Sequence, residues 1–172
     1  MKKEQIIRGV KEIMPYVIIL IVVVLLRTFI ITPIIVNGES MNPTLKEKQI
    51  LILNKYDKKY NRGDIVVVNY INGEKEERLI KRVMGLPGEK VEYNENKLYI
   101  NDKKVEDRFA KDTENFELSY IDIDMKKIPE GYYFVIGDNR NNSIDSRIIG
   151  LVKKEDIKGT VTQSLIPFKR VK

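Results

Sequence analysis

Polar and apolar residues divide the chain near its start. Residues 1–13 mix charged and apolar side chains, whereas Met14 to Thr32, MPYVIILIVVVLLRTFIIT, is apolar on every side and broken by one charge, Arg27. At about 1.5 Å per residue the run comes close to the ~30 Å hydrocarbon core of a bilayer, so the pattern predicts a transmembrane helix over 14–32. Arg27 lies near enough to its end for the side chain to reach the headgroups, and Pro33 supplies a stop. Lys and Arg are concentrated before the run, at Lys2, Lys3, Arg8 and Lys11, while Lys46 stands alone soon after it. This bias predicts a cytoplasmic flank at 1–13 and an extracytoplasmic domain at 33–172 on the cell membrane. A core helix would show a polar stripe, which Tyr16–Leu26 lacks. A cleaved leader would show a small-x-small site, where this chain has Arg27, Phe29 and Pro33.

Beyond Pro33 the period changes. Short β-branched runs recur between Gly, Asn and Asp: Gln49–Leu53, Asp64–Val68, Arg78–Met84, Lys90–Tyr93, Lys97–Ile100, Tyr132–Ile136 and Gly159–Val161. Tyr93-Asn94-Glu95-Asn96-Lys97 predicts a tight hairpin, and Leu86-Pro87-Gly88 a turn after a strand. Residues 101–130 are polar and lack a period, and they receive no assignment. With no sustained helical pattern after residue 33, the reading is a mainly β, antiparallel domain behind one N-terminal transmembrane helix.

Composition narrows the chemistry. The chain has neither Cys nor His, which removes thiolate nucleophiles, imidazole bases, Ser-His-Asp triads and most transition-metal sites. Catalysis would have to use a hydroxyl, an amine, carboxylates or a carboxylate-bound metal. The net charge of +6 is split evenly, since residues 1–37 hold +3 and the other 135 residues the remaining +3. That excess is too dilute for a nucleic-acid footprint.

Three polar segments are candidates. Ser40 sits in the Gly-flanked turn Gly38-Glu39-Ser40-Met41-Asn42-Pro43-Thr44-Leu45, which can present a hydroxyl with backbone N–H groups. Lys81 lies in Arg78-Leu79-Ile80-Lys81-Arg82-Val83-Met84, where alternation puts it between Leu79 and Val83 on one face. A lysine serves as a base only when neutral, and an apolar setting favours that form. The third segment, Gly137 to Arg147, packs polar side chains into a loop at a strand end. Each has a bland reading as well: a plain turn, a lysine that reaches for solvent, a loop that caps itself. Spacing alone does not choose between them.

Together the motifs resemble one family. GESMNPTL, KRVMGLPGE and GDNRNNSIDSR, in this order after a single anchor and accompanied by RGDIVVV and RTFIITPIIV, are similar to the bacterial type I signal peptidases, in their short Gram-positive form. The resemblance runs from the anchor to Gly150. It implies a partly barrel-like β domain against the outer membrane face and a Ser-Lys dyad with Ser40 as nucleophile and Lys81 as general base. It further implies that Ser143 hydrogen-bonds and orients the Lys81 amine, and that Asp138, Asp145, Arg147 and Arg82 brace the site. Val36, Met41, Leu79 and Ile80 occupy positions that line the substrate pocket. The implied substrate is an exported preprotein, cut after small residues at −1 and −3 of its signal peptide. No cofactor or metal is implied, and the partners expected are signal peptides and the lipid bilayer around a monomer, with no nucleic acid.

The chain departs from the family where some members carry an oxyanion-donating Ser and it has Gly38, and where it has Asn141-Asn142 in place of Asp-Asn. Self-cleaving repressor proteases share the dyad but carry a helix-turn-helix in place of an anchor. Penicillin-binding enzymes need Ser-x-x-Lys, and none of the five serines has it. The alternative from another class is a non-catalytic, membrane-tethered β module that binds envelope proteins, resting on Arg62-Gly63-Asp64 as an adhesive tripeptide.

Overall fold

The computed structural model describes residues 2–29, 31–109, 115–117 and 126–171, with backbone only at 2–6, 26, 29, 116 and 117. Helix α1, Lys2–Phe29, runs from the charged flank through the apolar stretch and contains Pro15; Arg27 in its last turn suits the negative end of the helix dipole. Its large apolar side chains are uncovered, from Val10 at 52% exposed through Tyr16 at 72% to Leu25 at 50%, so it is no core helix. No helix among the described residues is long and apolar enough to cross a membrane. The unbroken run of described side chains, 7–25, includes Arg8, Lys11 and Glu12, which dilute it. The helix predicted over 14–32 also ends at Phe29, because the Ile-rich segment that follows pairs in a sheet and forms β1, Ile31–Ile35.

The rest is antiparallel sheet, as the periodicity predicts. Strands β2 (Ile50–Asn54), β3 (Ile65–Asn72), β4 (Lys75–Gly85), β5 (Val91–Asn94), β6 (Lys97–Ile100), β7 (Lys103–Val105), β8 (Phe116–Glu117), β9 (Tyr132–Ile136), β10 (Val152–Lys153), β11 (Ile157–Ile166) and β12 (Phe168–Arg170) are joined by one short helix, α2 (Ser146–Ile149), and a 3₁₀ turn at Lys154–Asp156. The larger sheet has the order β1-β2-β11-β3-β4-β9-β10, with β12 also on β11; the smaller has the order β7-β6-β5-β8.

Burial explains the patterns. Strand β3 begins with the unbroken run IVVV because it is covered on both faces: Ile65 and Val67 join Leu51, Leu53 and Val161, while Val66 and Val68 join Tyr133, Val135 and Ile157. Strand β4 is exposed over its charged first half and buried from Lys81 onward, where it lies between β3 and β9. A third cluster joins the two sheets, with Met84, Phe134 and Ile136 against Val91, Tyr93, Leu98 and Ile100. Gly85 lies at that crossing, where an added Cβ would come within 2.5 Å of Ile128 and 2.6 Å of Val91. The Glu95-Asn96 hairpin forms with both residues at positive φ, the geometry that suits strand twist. Residues 101–130, unassigned from sequence, yield β7 and β8; 110–114 and 118–125 lie outside the described residues.

Candidate active site

Ser40 stands at the end of a chain turn anchored by its apolar neighbours. Val36, Met41 and Leu45 are buried in the cluster under β2 and β3, and backbone bonds from Asn42 N–H to the Glu39 carbonyl and from Leu45 N–H to the Met41 carbonyl close the turn. Gly38 opens it at φ +86°, which a side chain would resist. The half-buried Ser40 hydroxyl thus faces the middle of β4.

Lys81 Nζ donates to Ser40 Oγ at 2.6 Å. The pair is 41 residues apart in sequence. Strand register explains the lysine's surroundings: Lys81 lies opposite Val66 and Leu79 opposite Val68, so the amine rises from an apolar face. The residue is 2% exposed. Burial strips hydration from the ammonium and lowers its pKa from 10.5 to about 8, against the pull of Asp145 and Asp138; Arg147 pushes further down.

Both carboxylates are fully committed. Asp138 takes Arg82 Nε at 2.8 Å and Nη2 at 2.7 Å, and also accepts from the Thr44 hydroxyl, while Arg82 Nη1 holds the Gly63 carbonyl at 2.7 Å. This buried fork clamps β4 to the strand-end loop and to the turn after Ser40. Asp145 caps α2, accepts from Gly137 N–H at 2.9 Å and pairs with Arg147 through Nε at 2.9 Å and Nη2 at 3.0 Å. Asp138 with Arg82 and Asp145 with Arg147 thus form two ion pairs anchored on the strand-end loop.

Ser143 does not behave as implied. Its Oγ is buried without a hydrogen-bond partner among the described residues, so the expected bond to the Lys81 amine is not formed, while the bond from that amine to Ser40 is. The physical reason lies in the packing of Gly137: a Cβ built there would fall 2.2 Å from Ser143 Oγ and 2.6 Å from the Ser40 carbonyl oxygen. The hydroxyl is thus pressed against the loop backbone.

Of the expected pocket residues, Val36, Met41 and Ile80 share one cluster, whereas half-buried Leu79 stands apart from it on β4. A cavity of about 540 Å³ lined by Arg62, Arg82, Met84 and Phe109 lies next to the dyad's strand, and another of about 670 Å³ beneath Lys58 and Tyr132 is remote from it. Neither includes Ser40 or Lys81. An extended chain laid along strand edges requires a groove and not an enclosed chamber. Among the described residues no group of three or more acidic side chains is placed to hold a metal ion. Arg62-Gly63-Asp64 is structural: Arg62 binds Glu89 at 2.6 Å and the Met84 carbonyl, and Gly63 takes φ +91° ahead of β3.

Sequence reasoning missed Thr44, Asn139, Arg140 and Asp107. Asn139 N–H donates to the Ser40 carbonyl at 2.9 Å, and Arg140 pairs with Asp107 at 2.8 Å. For Asn139 and Arg140 the signal available was the density of polar residues in 137–147, a segment too polar for a strand end unless its groups find partners.

A family model described as signal peptidase, peptidase S26, matches residues 10–166. Signal peptidase I P of Bacillus subtilis subsp. natto is 41% identical over 180 residues, covering 99% of this chain and 95% of that protein. Signal peptidase I S of Bacillus subtilis (strain 168) is 39% identical over 182 residues, with the same coverage. The crystal structure of a signal peptidase I from Enterococcus faecalis V583 superposes with a TM-score of 0.54 at 37% identity, over 60% of this chain and 97% of that one.

Proposed function

Because this chain belongs to the signal peptidase family, peptidase S26, we propose that Ser40 and Lys81 are the nucleophile and general base with which it cuts. It is a serine endopeptidase that removes signal peptides from preproteins. The observation that carries the dyad reading is the 2.6 Å contact between Ser40 Oγ and an amine on a residue 2% exposed. When Lys81 loses its proton the contact reverses, and Oγ–H donates to Nζ.

The steps then follow from that contact. Lys81 Nζ takes the hydroxyl proton as Ser40 Oγ attacks the scissile carbonyl, and the resulting ammonium gives that proton to the departing amine. An acyl ester on Ser40 is left. Water attacks it with Lys81 again accepting a proton, which Lys81 returns to Ser40 Oγ as the ester bond breaks; the signal peptide leaves with a free carboxyl group that ionises, and both residues are restored. The Ser40 backbone N–H donates to no other backbone carbonyl among the described residues, which suits it to the developing oxyanion. Val36, Met41 and Ile80, with Leu79 at the margin, form the apolar wall against which small −1 and −3 side chains fit; extra volume there forces strain.

The bracing roles of Asp138, Asp145, Arg82 and Arg147 are supported by their buried bonds, and the packing of Ser143 against Gly137 supports a spacing role. The uncovered apolar sleeve of α1 supports a single-pass placement in the lipid bilayer, with 1–13 cytoplasmic, the apolar part of α1 from Met14 to Phe29 as the spanning segment and the β domain outside. The decisive experiment is Ser40→Ala, which removes one hydroxyl from a turn and touches no core. Preprotein cleavage should vanish while the protein stays folded; continued processing would overturn the nucleophile assignment.

A further inference from the structure

A segment outside all the motifs reaches the loop that faces Ser40. Arg140, with its side chain fully enclosed, donates through Nη2 to Asp107 at 2.8 Å and through Nε to the Gly137 carbonyl at 2.9 Å. Its own carbonyl accepts from Arg147 Nη2 at 2.8 Å. Asp107 also accepts from the Tyr93 hydroxyl at 2.9 Å and from Phe109 N–H at 3.0 Å. The Phe109 ring lies 5.7 Å from the Arg82 guanidinium and 5.8 Å from that of Arg140, so one ring contacts both cations. Since Tyr93 belongs to β5, these contacts tie the smaller sheet to the loop.

The consequence reaches the nucleophile through few bonds. Arg140 closes the turn 137–140 by holding the Gly137 carbonyl, and the same turn sends Asn139 N–H to the Ser40 carbonyl at 2.9 Å and Asn139 Nδ2 to the Glu39 carbonyl at 3.2 Å. A buried ion pair adds little stability over an apolar pair of similar volume. Stability alone therefore gives no account of this pair beside the dyad. We propose that Arg140, with Asp107 as counterion and Phe109 as platform, is a positioning residue that fixes Ser40 through the Gly137–Arg140 turn. The inference rests on the Ser40–Lys81 reading and extends it to a segment that shares no motif with the site.

The test uses the full chain in detergent with a preprotein substrate, measuring kcat, KM and the thermal midpoint. Arg140→Gln should lower kcat by about 10- to 100-fold, the scale set by small misplacement of a reacting group, with KM within about twofold of the parent. Arg140→Lys, which keeps the charge but not the fork, should recover part of the loss. Asp107→Leu with Arg140→Met replaces the pair by apolar groups; its midpoint should match or exceed the parent's while kcat stays down by about 10-fold or more. Parental kcat in that double variant would overturn the proposal, as would a loss confined to KM. If the double variant does not fold, near-isosteric Asp107→Asn decides: reduced kcat at an unchanged midpoint supports positioning, and parental kcat refutes it. Ser40→Ala in the same assay separates the two readings. Cleavage by that variant would sink the dyad, whereas an inert Ser40→Ala beside a fully active Arg140→Gln would sink the positioning role alone.

Discussion

Lys81 brings an ammonium to a position 2% exposed, and the folded chain holds its pKa near 8 in place of 10.5. In the unfolded chain the amine titrates at about 10.4. Below about pH 8 both states carry the proton, and the folded one carries it at a cost of about 3 kcal/mol. Between about 8 and 10.4 the unfolded state binds more protons, so stability rises with pH there and the penalty is gone above that window. Lys81→Met, similar in volume and uncharged, should therefore be inactive yet more stable than the parent by up to about 3 kcal/mol at pH 7, with the gap narrowing at pH 10. Denaturant midpoints at both pH values measure it; a Met variant less stable at pH 7 would identify Lys81 as a paired structural cation. Activity of the parent should climb with an acid limb near pH 8. The lack of His and Cys and the setting of one lysine between Leu79 and Val83 made Ser40 and Lys81 candidates, but only the resemblance of GESMNPTL and KRVMGLPGE to a known family joined them as a pair. The contacts of Ser143 and Arg140 were not legible. The surroundings of the first depend on a glycine packed so closely that an added Cβ would fall 2.2 Å from its hydroxyl, and the partner of the second lies 33 residues away in a stretch without a period.

Elements with their own chemistry were readable: the hairpin with two left-handed residues, the turn in which Gly88 takes φ +82° after Pro87, and strands with a clean alternating or continuous apolar pattern. Short edge strands were not. Strand β1 has the composition of the helix before it and becomes a strand only because β2 is there to pair with it, while β10 and β12 span two and three residues. The strand-end loop is the element on which the site depends, and its tightest point is Gly137. Gly137→Ala would drive a methyl group against Ser143 Oγ and the Ser40 carbonyl. The overpacking should cost about 1–3 kcal/mol and lower kcat, because the backbone it displaces belongs to the nucleophile. Thermal melts together with kinetics on the variant check it, and parental values in both would mean that the loop yields freely.

At the scale of the molecule, the two sheets share one apolar cluster and the site lies where the larger sheet, the turn after β1 and the strand-end loop meet. Whole-chain order was legible as an N-terminal helix followed by β structure; the way the smaller sheet buttresses the loop was not, since it depends on Tyr93, Asp107 and Phe109 meeting Arg140 in space. The junction of α1 and β1 has a different kind of importance. The helix ends at Phe29 and the strand starts at Ile31, with five residues that rise about 17 Å before the turn that carries Ser40. With α1 in the bilayer, that is a protease on a short stalk, working at one altitude above the surface. A preprotein's own apolar segment would then lie alongside, and the enzyme would act as a ruler, reaching bonds at a set distance from that segment and passing over chemically identical ones farther out. Inserting a flexible Gly-Ser stretch between Phe29 and Ile31 should loosen the ruler and spread cleavage over more distant small-x-small sites, which mass mapping of the products would reveal. Unchanged cut sites would mean that sequence alone, and no measured height, chooses the bond.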